Sequence, residues 1–580
     1  LVNEKVRPLV NGRAGRPAAH VRSLVFLLVA PLLACGGPPA GKTVYRGGAV
    51  LTLDGENRVA EALGVEGDRI SAVGSEASVR AWAGENARVV ELGGRALLPG
   101  FIDAHGHYPG AGIYAHRADL NSPPIGQVED IDGLVALLRA RAEREAAGDW
   151  VVGMSYDDTL LREARHPTRA DLDRVSTEHP VAAVHISGHL AAVNSRGLAA
   201  LGIARDTPDP PGGRIRRDAT GEPSGVLEET AMEPVMAGVM RPGLTGSLAI
   251  VQEANERYLA AGVTTAQVGY ATEDLASLVW LSRLGLIPLR LVIWPGAEWM
   301  DEVLAGKSRL PSSNPLWVRF GAVKLIADGS IQGYTAYLRE PYFVPPGDDP
   351  AERGYPRYPK EELIARVAGY RAAGHQVAIH GNGDAALDDI LDALEAAQLG
   401  DPQLDARPVI IHAQTARPDQ LERMERLRAI PSFFVLHTYY WGDRHRERFL
   451  GPERAARISP TRTAQAKGVR FTLHCDSPVV PMEPLRLVWA AVNRRTTSGH
   501  ELGPEERIDV VSALRAVTID AAFQHFEENE KGSLEPGKLA DLVILERSPL
   551  AVDPADLAAL PVLETIVGGE RVWRKGGSTE

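Results

Sequence analysis

Leu98-Pro-Gly-Phe-Ile-Asp-Ala-His-Gly-His107 is the stretch on which the fold turns. Residues 96–102 form a short apolar run of the kind that makes a buried strand, and the run leads into His105-Gly-His107. Side chains on a strand alternate faces, so His105 and His107 should project the same way, with only the hydrogen of Gly106 between them. Two imidazoles on one face at the C-terminal end of a strand can grip one metal ion. A single His-x-His carries little weight, so the decision rests on whether the chain supplies further ligands.

Further ligands stand at the ends of other apolar runs. Val318-Arg-Phe-Gly-Ala-Val-Lys-Leu-Ile-Ala-Asp-Gly329 places Lys324 inside a strand. His375-Gln-Val-Ala-Ile-His380 ends in His380, Pro408-Val-Ile-Ile-His412 in His412, and Val469-Arg-Phe-Thr-Leu-His-Cys-Asp476 in Asp476. Runs of this kind end near His105, Gln267, Trp294, Ala327, His380, His412, His437 and Asp476, and helical stretches such as 360–373 and 387–397 separate the later ones. Alternating strands and helices over this length predict a (β/α)8 barrel, which keeps its chemistry at the C-terminal strand ends. On that count Lys324 lies on the fourth strand, His380 on the fifth, His412 on the sixth and Asp476 on the eighth.

Together these segments resemble the metal-dependent amidohydrolase superfamily, and more narrowly its YtcJ-like branch (amidohydrolase family 3), which includes N-substituted formamide deformylases. The resemblance rests on 98–107, on Val-Lys-Leu-Ile-Ala-Asp-Gly-Ser at 323–330, on Ala-Ile-His-Gly-Asn-Gly-Asp at 378–384 and on Thr-Pro-Asp-Pro-Pro-Gly-Gly at 207–213, and it spans roughly residues 41–575. It implies a TIM-like barrel over 96–532 with an insertion at 120–245. It also implies a small β-sandwich built from both chain ends, 41–95 and 533–576. A dinuclear centre follows from it: His105 and His107 hold one ion with Asp476, His380 and His412 hold the second, and Lys324, carboxylated by CO₂, bridges them.

The residue chemistry agrees with that pattern. Neutral imidazole and carboxylate suit Zn²⁺ or another borderline divalent ion. A protonated lysine cannot ligate, but a desolvated one loses its proton and can add CO₂. The alternative for Lys324 is an ion pair with Asp328, which would leave a mononuclear site. Water shared by two divalent ions is acidified into a nucleophile, and Asp476 would carry its proton to the leaving amine. The expected activity is therefore hydrolysis of a non-peptide C–N (amide) bond in a small molecule by a metal-bound hydroxide. A cyclic amidase, lactonase or esterase would use the same ligands. An envelope binding or regulatory protein without turnover is the reading from another class; missing ligands would mark it, and none is missing.

Selection among substrates must come from the walls. His437, at the end of the seventh apolar run, and the following Tyr439, Tyr440 and Trp441 are read as pocket residues. His189 either reaches the site from the insertion or serves structure. The insertion itself carries a helix at 132–147 and strand-like runs at 150–154 and 181–186; a long segment after a barrel strand lies at the mouth, where lids form. Asp384 is read as the residue that orients His380, and His474 as hydrogen-bonded core.

A formal charge of −12 over 580 residues, with no basic block after residue 35, argues against a nucleic-acid partner. Residues 1–35 read as a lipoprotein signal peptide. Lys5, Arg7, Arg13, Arg16 and Arg22 precede an apolar stretch at 24–33 too short to span a bilayer, and Leu32-Leu33-Ala34-Cys35 resembles a bacterial lipobox. Lipidation of Cys35 would anchor the chain in the bacterial cell envelope. The second cysteine, Cys475, reads as a small core residue.

Overall fold

The computed structural model describes residues 41–239, 244–346, 349–398 and 405–577. The signal-peptide and Cys35 readings lie outside them. The apolar run at 96–102 proves to be two strands in two different sheets. Ala96–Pro99 pairs with Lys42–Leu51 and Leu542–Leu545, whereas Phe101–Ile102 pairs with Val263–Ala271. Gly100 is the crossing point: a Cβ there would lie 2.2 Å from the Thr264 side chain, so only glycine lets the chain pass between sheets. The break is hidden in the sequence because both strands are buried on both faces.

The chain ends meet in one eight-stranded mixed sheet. Its edge strand Arg69–Gly74 bonds back onto the segment before Leu542–Leu545, with Ile70 N donating to Lys538 O at 2.8 Å. This curl gathers Leu63, Ile70, Leu97, Leu542 and Ile566 into one core. Strands from 41–95 and 533–576, expected as a small β-sandwich, lie together in this sheet, and residues 96–99 pair within it.

The larger body is a TIM-barrel-like α/β array whose parallel strands are neighbours in chain order. One arc holds Phe101–Ile102, Val263–Ala271, Arg290–Pro295 and Val318–Phe320. The other holds Val323–Ile326, Val377–Gly381, Val409–His412, Ile430–Phe433 and Thr472–Leu473. The fourth expected strand therefore breaks at Gly321-Ala322, and its halves join different arcs. The arcs touch at the bridge Gly296↔Lys324 and, on the far side, where Asp476 N donates to His105 O at 3.2 Å. No ladder closes the ring among the described residues, since the first and last strands have only 2 residues each. Helices cover the outside; Asp384–Gln398 buries Leu387, Ile390, Leu391 and Leu394, an amphipathic stripe facing the strands.

The insertion folds as a six-stranded sheet with the helix Ile131–Ala142 beside it. Its strands Val151–Tyr156, Val181–His185 and Leu190–Val193 are apolar runs. Gly213–Arg217 is arginine-rich and pairs as a hairpin with Pro223–Glu229, a pairing that backbone geometry rather than hydrophobicity reveals. Among the described residues no helix is long and apolar enough to cross a membrane.

Candidate metal centre and substrate cavity

His105 and His107 follow the first barrel strand rather than ending it, and both turn toward Asp476. Their Nε2 atoms lie 3.5 and 3.2 Å from Asp476 Oδ1, and His412 Nε2 lies 3.8 Å from Oδ2. Asp476 and His412 have φ of 53° and 70°, so left-handed backbone at two strand ends turns these side chains inward. Burial opposes the charge on Asp476, but the surrounding His107, His105 and His412 rings hold its carboxyl well below the usual range.

Three of the histidines resist protonation. Burial and the charge of Lys324 push His105 well below the ordinary imidazole value; burial does the same for His380 and His412. His105 Nδ1 lies 2.8 Å from Gln267 Oε1, so Nδ1–H donates outward and the Nε2 lone pair faces inward. His412 Nδ1 contacts His474 Nε2 at 3.2 Å, and His474 Nδ1 meets Ser432 Oγ at 3.0 Å, which leaves His412 Nε2 toward Asp476. Asp476 Oδ1 and His380 Nδ1 are buried without a well-aligned hydrogen bond. Ligand atoms of His105, His107, His412 and Asp476 gather within a few ångströms, and a nitrogen-rich set with one carboxylate suits a borderline divalent ion.

Lys324 is buried, with Nζ 3.1 Å from His105 Nε2. Burial pushes its amine down to about 7, against the pull of Asp476. Asp328 does not pair with it. That carboxylate accepts from the backbone N–H groups of Asn382, Gly383 and Tyr337 at 3.0, 2.8 and 3.0 Å, and lies 3.3 Å from His380 Nδ1. Asp328, not Asp384, therefore sits behind His380; Asp384 accepts from Arg339 N and pairs with Arg417.

A cavity opens over His380, His412 and Asp476, with Phe434, His437 and Val479 on one side and Ser187 and His189 of the insertion on another. Ser330 and Gln332 add polar wall. His189 Nδ1 lies 2.8 Å from Glu229 Oε2, and its ring centroid is 5.0 Å from that of His380. Burial opposes charge on His189, but Glu229 outweighs it and raises the imidazole value. His437 begins the short helix His437–Tyr440 instead of ending a strand, and its Nε2 lies 3.4 Å from Gln332 Nε2.

Tyr440 and Trp441 are not in this wall. Trp441 is buried behind His437 and Phe434 and donates from Nε1 to Asp157 Oδ2 at 3.0 Å. A helix after the strand rotates successive side chains by 100° instead of letting them alternate, so the aromatic facing the cavity is Phe434. Glu229 and Gln332 carry no local signal, because each acts through a partner distant in sequence.

The chain matches the model of the amidohydrolase family over residues 88–573. It is 30% identical to the putative amidohydrolase YtcJ of Bacillus subtilis, with 92% of this chain and 100% of that protein aligned. It is also 30% identical to the N-substituted formamide deformylase of Arthrobacter pascens, with 91% and 98% covered. An uncharacterized metal-dependent hydrolase from Pyrococcus horikoshii shares the fold at a TM-score of 0.69 and 25% identity, covering 89% of this chain and 99% of its own. Matched over most of its length, in sequence and in fold, and carrying a convergent set of imidazoles around one carboxylate, the chain belongs to the amidohydrolase family.

Proposed function

We propose that this metal-dependent amidohydrolase opens a non-peptide C–N bond in a small-molecule amide. The observation that carries the reading is the approach of the His105, His107 and His412 rings to the one carboxylate of Asp476. The likeness to an N-substituted formamide deformylase supports the bond type. Bound at this set, two divalent ions, zinc by donor preference, would polarise the substrate carbonyl and acidify water. His105, His107 and Asp476 would hold one, His380 and His412 the other. Lys324, dry and without a carboxylate in ion-pair reach among the described residues, is suited to carry the bridging carbamate.

Asp476 would take a proton from water and return it to the leaving nitrogen, because its oxygens lie at the centre of the set and its carboxyl stays ionised. Phe434 and Val479 would receive an apolar substituent, while His189 and His437 would contact polar atoms of the substrate. We place the protein in the bacterial envelope, lipid-anchored at Cys35, on the strength of residues 24–35.

The test is metal analysis of protein purified without chelator, joined to hydrolysis rates across N-acyl, N-formyl, lactam and ester compounds. Two divalent ions per chain and turnover of an open-chain amide are expected. Full activity in metal-free protein, or turnover of esters alone, would overturn the reading. Growth with labelled bicarbonate should give a carbamate ¹³C signal that Lys324→Ala removes.

A further inference from the structure

Ser187 stands in the cavity wall with a hydrogen-bond polarity already decided by the insertion. Its Oγ lies 2.8 Å from His185 Nδ1, and its own backbone N–H donates to the same nitrogen at 3.2 Å. An atom that accepts a backbone N–H carries no hydrogen, so the His185 proton is on Nε2, which lies 3.1 Å from Asp158 Oδ1. The hydrogen runs Ser187 Oγ–H to His185 Nδ1 and His185 Nε2–H to Asp158. All three residues are buried; His185 ends the strand Val181–His185, Ser187 lies in the loop after it, and Asp158 follows the neighbouring strand Val151–Tyr156.

A hydroxyl has one hydrogen and two lone pairs. The hydrogen of Ser187 is spent on His185, and one lone pair takes the backbone N–H of His189 at 3.2 Å. What remains for the cavity is a single acceptor. We propose that Ser187, polarised by His185 and Asp158, is a specificity-determining acceptor that favours substrates bearing an N–H at the scissile amide over tertiary amides and esters. The inference rests on the C–N reading above and narrows it to secondary amides. Ser187 would contact the substrate; His185 and Asp158 would act as positioning residues.

The experiment compares three substrates on metal-replete, full-length protein: the secondary amide turned over fastest in the panel, its N-methyl counterpart and the matching ester. The quantity read is the ratio of kcat/KM for the N–H amide to that for each of the other two. Losing one hydrogen bond between uncharged groups should lower this ratio by about 10-fold in Ser187→Ala, and Ser187→Thr, which keeps the hydroxyl, should restore it. Asp158→Asn should lower it with Ser187 intact, because an amide can donate to His185 Nε2, send the ring hydrogen to Nδ1 and turn the hydroxyl outward. Metal content and circular dichroism confirm that each variant is folded. If Ser187→Ala slows all three substrates equally, Ser187 is structural and the proposal fails; if that variant does not fold, an unchanged ratio in Asp158→Asn overturns it. A wild type that hydrolyses no amide would sink the C–N reading instead, a result distinct from either.

Discussion

Histidine and aspartate ligand atoms come close together in two regions among the described residues: around Asp476 at the barrel strand ends, with His105 and His107 and with His412 and His474, and at Asp157, Asp158 and His185 in the insertion. They differ in what their lone pairs already do. Asp157 Oδ2 accepts from Trp441 Nε1 at 3.0 Å and Arg444 at 2.9 Å, and Oδ1 accepts from Thr159 N at 3.0 Å. Asp158 lies against His185 and His166, with the charge of Arg216 nearby. Protein cations and donors thus occupy the insertion cluster, whereas Asp476 Oδ1 has no aligned donor. Proximity of ligand atoms does not by itself mark a cation site; unspent lone pairs do. The insertion cluster instead ties that domain to Trp441 and Arg444 in the segment after the strand Ile430–Phe433, and it orients Ser187.

The strongest way to break this contrast is to remove the central carboxylate. Asp476→Asn should lower kcat by ~10²–10⁴-fold, the usual contribution of a positioned acid–base group, while the imidazoles still retain much of the metal. Single-turnover rates beside metal analysis check this; near-wild-type turnover would pass the proton to His437 or His474. Next in size is Arg444→Met. It strips a cation from Asp157, a fully buried carboxylate, and should cost about 3 kcal/mol in urea unfolding with the metal count unchanged. A fall in metal count would make the insertion cluster a cation site after all.

The smallest effect separates the clusters by pH. Burial holds His105, His380 and His412 well below their unfolded value of 6.5, so below that pH the unfolded chain binds protons that the fold refuses. Metal-free protein should therefore keep full stability above pH 6.5 and lose it as acid is added, with His166 of the insertion adding to the same window. Asp157 and Asp158, held below 3.8 in the fold, contribute stability that persists above that value and disappears only in stronger acid. Urea midpoints from pH ~8 to ~5 check the first window; a flat profile would mean that the rings at the centre are charged in the fold.

The metal-ligand set is legible in the sequence because such ligands are residues that are costly to bury. A histidine, lysine or aspartate at the end of an apolar run contradicts its surroundings, and His105, Lys324, His380, His412 and Asp476 all do so within a few residues of chain. Val181-Ala-Ala-Val-His185 carries the same signal in the insertion, although no metal-site pattern calls attention to it. The alternation of strands and helices is legible for a similar reason, since periodic burial is written locally.

Tertiary structure alone decided what depends on direction and on distant partners. The run at 96–102 belongs to two sheets because Thr264 leaves no room for a side chain at Gly100. Asp328 rather than Asp384 backs His380, and Phe434 rather than Trp441 faces the cavity, because a loop and a helical turn set where those side chains point. Ser187 is an acceptor because Asp158, far upstream in the chain, places the proton of His185. Burial preference is a property of each residue and survives in the sequence; orientation and proton placement belong to contacts, and exist only once the chain has closed around them.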